Sequence, residues 1–105
     1  MAQELTGSIG GAVAYVGARV LIEGDIRARG VPTDPTLLIF KIRTPSGRHV
    51  QITVPDDAIN KRDIGLYEAN VVVDEAGLWG FRWEGAGVVD AVGEVTLQVI
   101  ESSVS

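Results

Sequence analysis

Apolar and polar residues alternate along most of this chain. In residues 18–28, Val20, Ile22, Gly24 and Ile26 share one phase, and charged residues occupy most of the other. The same alternation recurs in residues 36–44, 49–55, 66–73, 78–84 and 93–100. Because successive side chains of a strand point to opposite faces, this period of two predicts strands with one buried side and one solvent-facing side.

Glycines and prolines separate these segments at short, fairly even intervals. With a further short piece at residues 12–16, the pattern predicts about seven antiparallel strands, which is typical of an immunoglobulin-like (Ig-like) β-sandwich. We therefore predict an all-β domain over residues 17–101. A flexible glycine-rich arm, residues 1–16, precedes it, and a short tail, residues 102–105, follows. Residues 55–65 are polar enough to form a connecting loop.

Two segments are similar to the corner turn that leads into the sixth strand of Ig-like sandwiches, where an aromatic residue follows the turn. One contains Tyr67, and the other contains Gly77 and Trp79. In that fold a single strand follows the corner strand. One predicted strand, residues 93–100, follows Trp79, whereas two follow Tyr67. Strand order therefore assigns the corner to Gly77 and Trp79, and Phe81 then occupies the position where antibody domains have a cysteine.

Three aromatic residues, Trp79, Phe81 and Trp83, lie two residues apart on this predicted strand. They could form a solvent-facing platform for a sugar ring or a base, or they could form the centre of the core. The opposite phase of the strand contains Arg82 and Glu84 and is much more polar. The polarity favours burial of the rings, with Trp83 partly exposed because it lies at the predicted strand end.

Composition narrows the classes of function. The chain has 105 residues, enough for one domain, and a net charge of −5, which argues against a nucleic-acid partner. It has no cysteine, so neither a disulfide nor a thiolate metal site can form. The N-terminal segment lacks the basic and apolar regions of a signal peptide, and no window is long enough for a membrane span. We expect synthesis in the cytoplasm without export.

Candidate catalytic and metal-binding residues are few. His49 is the only histidine, and no second histidine or cysteine could share a metal site with it. Asp56, Asp57 and Asp63 could bind calcium, but they lack the regular spacing and glycine of a calcium loop and favour a solvated loop. No nucleophile or phosphate-binding motif is present. We expect no enzymatic activity, no cofactor and no metal.

Apolar residues in positions that should face solvent are more informative. They are Leu37 and Ile39 on a predicted strand, Val88, Val89 and Val92 in the segment 85–93, and Ile9, Val13 and Tyr15 in the arm. Exposed aliphatic side chains on strands promote association unless something covers them. Two explanations stay open: these residues contact a partner or another copy of the chain, or the segment folds back over the sandwich.

A family resemblance rests on five short motifs. They are residues 31–36 (VPTDPT), 44–47 (TPSG), 65–67 (GLY), 76–79 (AGLW) and 82–85 (RWEG). In order and spacing they resemble the small Ig-like proteins and domains of the structural gene modules of tailed bacteriophages and prophages, over residues 17–101. The motifs themselves are turn and core residues, so the resemblance supplies no functional residues.

The resemblance implies a virion component without enzymatic activity or cofactor. It would decorate the capsid or lie in the head–tail region and contact other virion proteins, with self-association as a further expectation. The alternative is an Ig-like module that binds carbohydrate or a cell surface, which requires solvent-exposed aromatic rings.

Overall fold

Two β-sheets packed face to face make up the computed structural model, which describes the backbone of residues 3–9 and all atoms of residues 13–101. Ten strands lie within these residues. They are β1 (Gln3–Ile9), β2 (Val13–Tyr15), β3 (Arg19–Ala28), β4 (Val31–Pro32), β5 (Leu37–Arg43), β6 (His49–Thr53), β7 (Ile59–Asp63), β8 (Leu66–Val72), β9 (Gly77–Ala86) and β10 (Ala91–Ile100).

One sheet, called the β3 sheet, has the order β1-β3-β8-β7, with β4 also pairing with β3. The other, called the β9 sheet, has the order β2-β10-β9-β5-β6. All pairings are antiparallel except that of β2 with β10, which is parallel. The chain thus crosses between the two sheets several times and does not complete one sheet before it starts the other. This crossing is typical of Ig-like sandwiches.

The first two strands correct the predicted flexible arm. Within the described residues, β1 pairs with β3 from Gln3 opposite Ala28 to Ile9 opposite Ile22. Strand β2 then pairs with the end of β10 in the other sheet. The glycine content of residues 1–16 concealed these strands, because glycine disfavours a fixed strand conformation. The edges of β3 and β10 supply the backbone hydrogen-bond partners that order the segment. The sandwich therefore includes both strands, and the predicted domain start at residue 17 is wrong.

A polar strand replaces the connecting loop predicted for residues 55–65. Strand β7 pairs with β8 at the edge of the β3 sheet. Ile59, at 8% exposure, is its single buried residue. An edge strand needs few inward apolar residues, so the polarity of this segment concealed its structure.

The core forms between the sheets from the apolar phases that the alternation predicts. On β3 the buried side chains are Val20, Ile22 and Ile26, and on β5 they are Leu38, Phe40 and Ile42. Trp79, Phe81 and Trp83 of β9 are also buried, and Phe40 lies 4.5 Å from Trp83 between ring centroids. The prediction that the aromatic run belongs to the core is confirmed.

Trp83 departs from the prediction that it is partly exposed, because none of it is exposed to solvent. Strand β9 continues to Ala86, so Trp83 is not at a strand end. Its indole ring lies against Gly24 of the opposite sheet: a Cβ at Gly24 would come within 2.9 Å of the Trp83 Cε2 atom. The absence of a side chain at Gly24 provides the space for the ring.

The corner that strand order assigned to Gly77 and Trp79 is present. The indole Nε1 of Trp79 donates a hydrogen bond to the backbone oxygen of Glu75 at 2.9 Å. Gly77 has a φ of +129°, a backbone conformation that residues with a side chain rarely adopt. Pro45 occupies the space that a Cβ atom at this position would need. Of the described strands, only β10 follows β9, as the prediction required. Tyr67, the alternative corner residue, lies on β8, which is followed by two described strands, β9 and β10.

Candidate functional site

The candidate site is the outer face of the β9 sheet, the side turned away from the β3 sheet. Strand β9 sets this face, because its aromatic phase points inward and leaves Leu78, Gly80, Arg82 and Glu84 pointing outward. The face has apolar side chains at its two ends and charged side chains between them.

One end carries a cluster that we call the terminal patch: Val13, Tyr15, Leu78 and Ile100. Their exposed fractions are 52%, 56%, 53% and 38%. The register places Val13 opposite Gln98, which lies opposite Leu78, and places Tyr15 opposite Ile100. Three adjacent strands therefore present apolar side chains to solvent, and no other described element covers them.

The opposite end carries a second cluster, called the loop patch: Leu37, Val88 and Val92. These side chains are 43%, 67% and 52% exposed, and Ile39 beside them is half-buried. Ile39 and Val92 both lie opposite Glu84 in the register. The predicted exposure of Leu37, Val88 and Val92 is therefore confirmed.

Val89 corrects the prediction that it belongs to a contact surface, because it is completely buried. The connection from β9 to β10 is short, and side-chain oxygens hold its backbone: Asp90 accepts from the N–H of Gly87 at 3.1 Å, and Thr36 accepts from the N–H of Val88 at 3.2 Å. This turn directs Val88 outward and Val89 back into the core. The segment thus folds back over the sandwich at Val89 and leaves Val88 exposed.

Charged residues join the two patches across the middle of the face. Glu84 accepts from Arg82 Nε at 2.6 Å and lies 3.0 Å from Lys41 Nζ, while Arg82 also contacts Glu94 at 2.9 Å. The hydrogen bond from Lys41 and that from Arg82 lower the pKa of Glu84 below its usual value. These groups neutralise one another, so the middle of the face does not present a strong field of one sign.

A second polar cluster centres on Asp34, in the segment that crosses between the sheets. Its carboxylate accepts from Lys61 Nζ at 2.7 Å, from the Gly65 N–H at 2.8 Å and from the Tyr67 hydroxyl at 3.0 Å. The hydrogen bond from Lys61 lowers the pKa of Asp34. Burial of the Tyr67 hydroxyl, and to a lesser extent its hydrogen bond to Asp34, raises the pKa of Tyr67 to about 12. Both carboxylate oxygens of Asp34 accept hydrogen bonds from other protein groups, so the cluster links the crossing segment to strands β7 and β8.

The other polar candidates lie apart. His49 is exposed at the start of β6. Asp56 and Asp63 accept hydrogen bonds from the nearby backbone of Ala58 and Ile64. Among the described residues, no group of three or more histidine or acidic side chains is arranged to hold a metal ion. In the same part of the chain, no helix is long and apolar enough to cross a membrane.

Comparison with known proteins identifies the fold. No family model matches the chain, and no curated protein matches it. The crystal structure of the Lin-41 filamin domain superposes with a TM-score of 0.61 at 18% identity, over 89% of this chain and 90% of that one. The chain is an Ig-like β-sandwich. A conjugative transposon lipoprotein from Bacteroides eggerthii also matches, with a TM-score of 0.44 and 12% identity over 89% of this chain and 95% of that one.

Aromatic residues contribute little to the surface of this Ig-like sandwich. Of the six in the chain, only Tyr15 is exposed. A stacking platform made of Trp79, Phe81 and Trp83 is therefore absent, because their rings are no more than 2% exposed. The carbohydrate-binding alternative required these rings to face solvent, and they do not.

The structure brings together some predicted contact residues and adds others. Val13 and Tyr15 share the terminal patch with Leu78 and Ile100, which the sequence reasoning missed. Both missed residues are apolar residues on the outward phases of β9 and β10, and this phase was the available signal. Ile9 was also predicted as a contact, but its side chain lies outside the described residues.

Proposed function

We propose that this chain is a non-enzymatic interaction module that binds another protein on the outer face of the β9 sheet. The observation that carries the proposal is the terminal patch, where Val13, Tyr15, Leu78 and Ile100 are each at least 38% exposed on adjacent strands. Burial of apolar surface is the main favourable term in protein association. The charged residues between the patches would set orientation more than affinity.

The proposal extends to a place in the particle of a tailed bacteriophage, as a capsid decoration or head–tail protein. This part is supported by the order and spacing of the turn motifs in residues 31–36, 44–47, 65–67, 76–79 and 82–85. The fold is compatible with it, but one sandwich fold serves many roles. Its partners would be other virion proteins.

Site-specific photo-crosslinking in a culture that naturally produces the protein tests both parts. The photoreactive residue p-benzoylphenylalanine replaces Tyr15 in the terminal patch, and in a matched variant it replaces Asn70, an exposed residue of β8 on the other sheet. We expect a discrete crosslinked product from position 15 and none from position 70. Mass spectrometry then identifies the partner.

The outcomes separate the two parts of the proposal. A capsid, neck or tail protein at position 15 supports both parts. A discrete partner of another class supports the interaction module and rejects the virion role. No product at position 15, or equal products at both positions, rejects the outer face of the β9 sheet as the binding surface.

A further inference from the structure

The free edge of strand β6 has little of the protection that edge strands usually carry. Native edge strands usually avoid pairing with other chains by being short, charged or bulged. Strand β7 carries Lys61, Arg62 and Asp63 and has a register shift, and β2 is only three residues long. Strand β6, by contrast, has five residues in unbroken register with β5 and no lysine, arginine or acidic residue.

We propose that this edge pairs with β6 of a second copy of the chain, in antiparallel orientation, so that two β9 sheets join into one. This inference concerns a different surface from the terminal patch and does not depend on the proposed function. Three features of β6 support it: the direction of its backbone groups, the self-complementarity of its sequence and its lack of charge.

Two hydrogen bonds fix which backbone groups face the free edge. The N–H of Val54 donates to the oxygen of Leu38 at 3.0 Å, and the oxygen of Arg48 accepts from the N–H of Thr44 at 2.9 Å. The backbone groups of residues 48 and 54 therefore point toward β5 and the segment that follows it. Because these directions alternate along a strand, the N–H and C=O groups of His49, Gln51 and Thr53 point to the free edge.

These edge groups suit pairing with an identical strand. With a two-fold axis at Gln51, His49 of one copy lies opposite Thr53 of the other, and Gln51 lies opposite itself. Residues that face each other in this way exchange both backbone hydrogen bonds. No described strand pairs with this edge, so the groups are available.

The side chains match in the same register. Val50 of one copy would lie opposite Ile52 of the other, apolar against apolar, on the core-facing phase. Val50 is 37% exposed and Ile52 is partly exposed, so a second copy would cover apolar surface that this sandwich leaves open. The opposite phase would pair His49 with Thr53, which are polar.

Lack of charge makes a second copy an acceptable partner. Each chain carries a net charge of −5, so two copies repel one another at long range, and a contact surface without charged residues adds no short-range repulsion to this. The segment 49–53 meets this condition, and Pro55 limits how far pairing can extend. A single strand edge covers less surface than the roughly 1,200 Å² of a stable interface, so we expect a weak dimer that forms at high protein concentration.

Sedimentation velocity over a wide concentration range tests the proposal with a charge-swap design. Gln51→Lys and Gln51→Glu each place two like charges at the two-fold axis, and we expect each to weaken dimerisation about tenfold or more. An equimolar mixture of the two variants places opposite charges there, so dimers should return. Asn60→Lys makes the same charge change on the protected β7 edge and should dimerise like the wild-type protein.

Hydrogen exchange locates the contact: the amides of His49, Gln51 and Thr53 should become more protected as the protein concentration rises. The proposal is overturned if the wild-type protein stays monomeric, if Gln51→Lys dimerises normally, or if the mixture fails to dimerise. If a Tyr15→Ser variant abolishes dimers while Gln51→Lys does not, association belongs to the terminal patch instead. That result would favour the proposed interaction face and reject β6 pairing.

Discussion

The two faces of strand β9 differ sharply in their exposure to solvent. On the inner face, Trp79, Phe81 and Trp83 are at most 2% exposed. On the outer face of the same strand, Leu78 is 53% exposed and Arg82 forms ion pairs at the surface. One alternating stretch of sequence therefore supplies both buried rings of the core and exposed residues of the candidate site.

The contrast shows that the most conspicuous residues of the strand belong to the core and not to its exposed face. Large rings attract attention as a binding platform, but their phase faces the opposite sheet, where Gly24 leaves room for Trp83. The less conspicuous Leu78 lies on the phase that a partner can reach. If the two phases differ in stability as they differ in burial, truncation on the inner face should cost far more than truncation on the outer face.

Truncation on the inner face should have the largest effect. We expect Trp83→Ala to lower the free energy of unfolding by about 3–5 kcal/mol, because it removes a fully buried ring and leaves a cavity. Leu78→Ala, on the outer face, should change it by less than about 0.5 kcal/mol. Urea denaturation followed by circular dichroism measures both. Similar losses in the two variants would contradict the assignment of the faces.

Two glycines allow a subtler test of the same contrast. A Cβ at Gly24 would lie 2.9 Å from a Trp83 ring atom, whereas a Cβ at Gly80 would meet the mobile end of Arg43 at 3.2 Å. We expect Gly24→Ala to destabilise the protein by about 1–3 kcal/mol, because the packed ring cannot move freely. Gly80→Ala should be near neutral, since the arginine can shift into solvent. Thermal denaturation compares the two, and equal shifts in Tm would show that Trp83 is not confined by Gly24.

Local alternation was enough to predict much of this fold. The buried phases of β3, β5 and β9 follow directly from a period of two, and strand order placed the corner at Trp79. The outward position of Leu37 follows in the same way. These features depend on neighbours along the chain, so the sequence exposes them.

Features that depend on distant residues could not be predicted. Trp83 is buried because Gly24, on the opposite sheet, leaves room for its ring. Strand β1 is ordered because it pairs with an edge of β3 that would otherwise have no partner. Strand β7 has only Ile59 as a buried residue, too weak a signal for a strand. Val89 enters the core through a turn at which the N–H of Val88 donates to Thr36, 52 residues away in the sequence. In the candidate site, the terminal patch emerged only when β2, β9 and β10 were brought side by side.

The smallest expected effect concerns Glu84, on the outer face, and depends on pH. Its folded-state pKa is lowered by the hydrogen bonds from Lys41 and Arg82, so the charged form is favoured by folding. The resulting stabilisation is present above the usual pKa of a glutamate and is lost as the pH falls through the lowered folded-state value. The stability advantage of the wild-type protein over Glu84→Gln should therefore be largest near neutral pH and shrink in acid.

Urea denaturation over a series of pH values measures this advantage. A Lys41→Gln background is the matched control, because removing the first cause of the pKa shift should reduce the pH dependence of the Glu84→Gln effect. None of these substitutions changes Arg82 or Glu94, so we expect their ion pair in the middle of the face to persist. An advantage that stays constant with pH, or that grows in acid, would show that Lys41 and Arg82 do not stabilise the charged form of Glu84. The ion pairs of the outer face would then make no measurable contribution to the stability of the sheet.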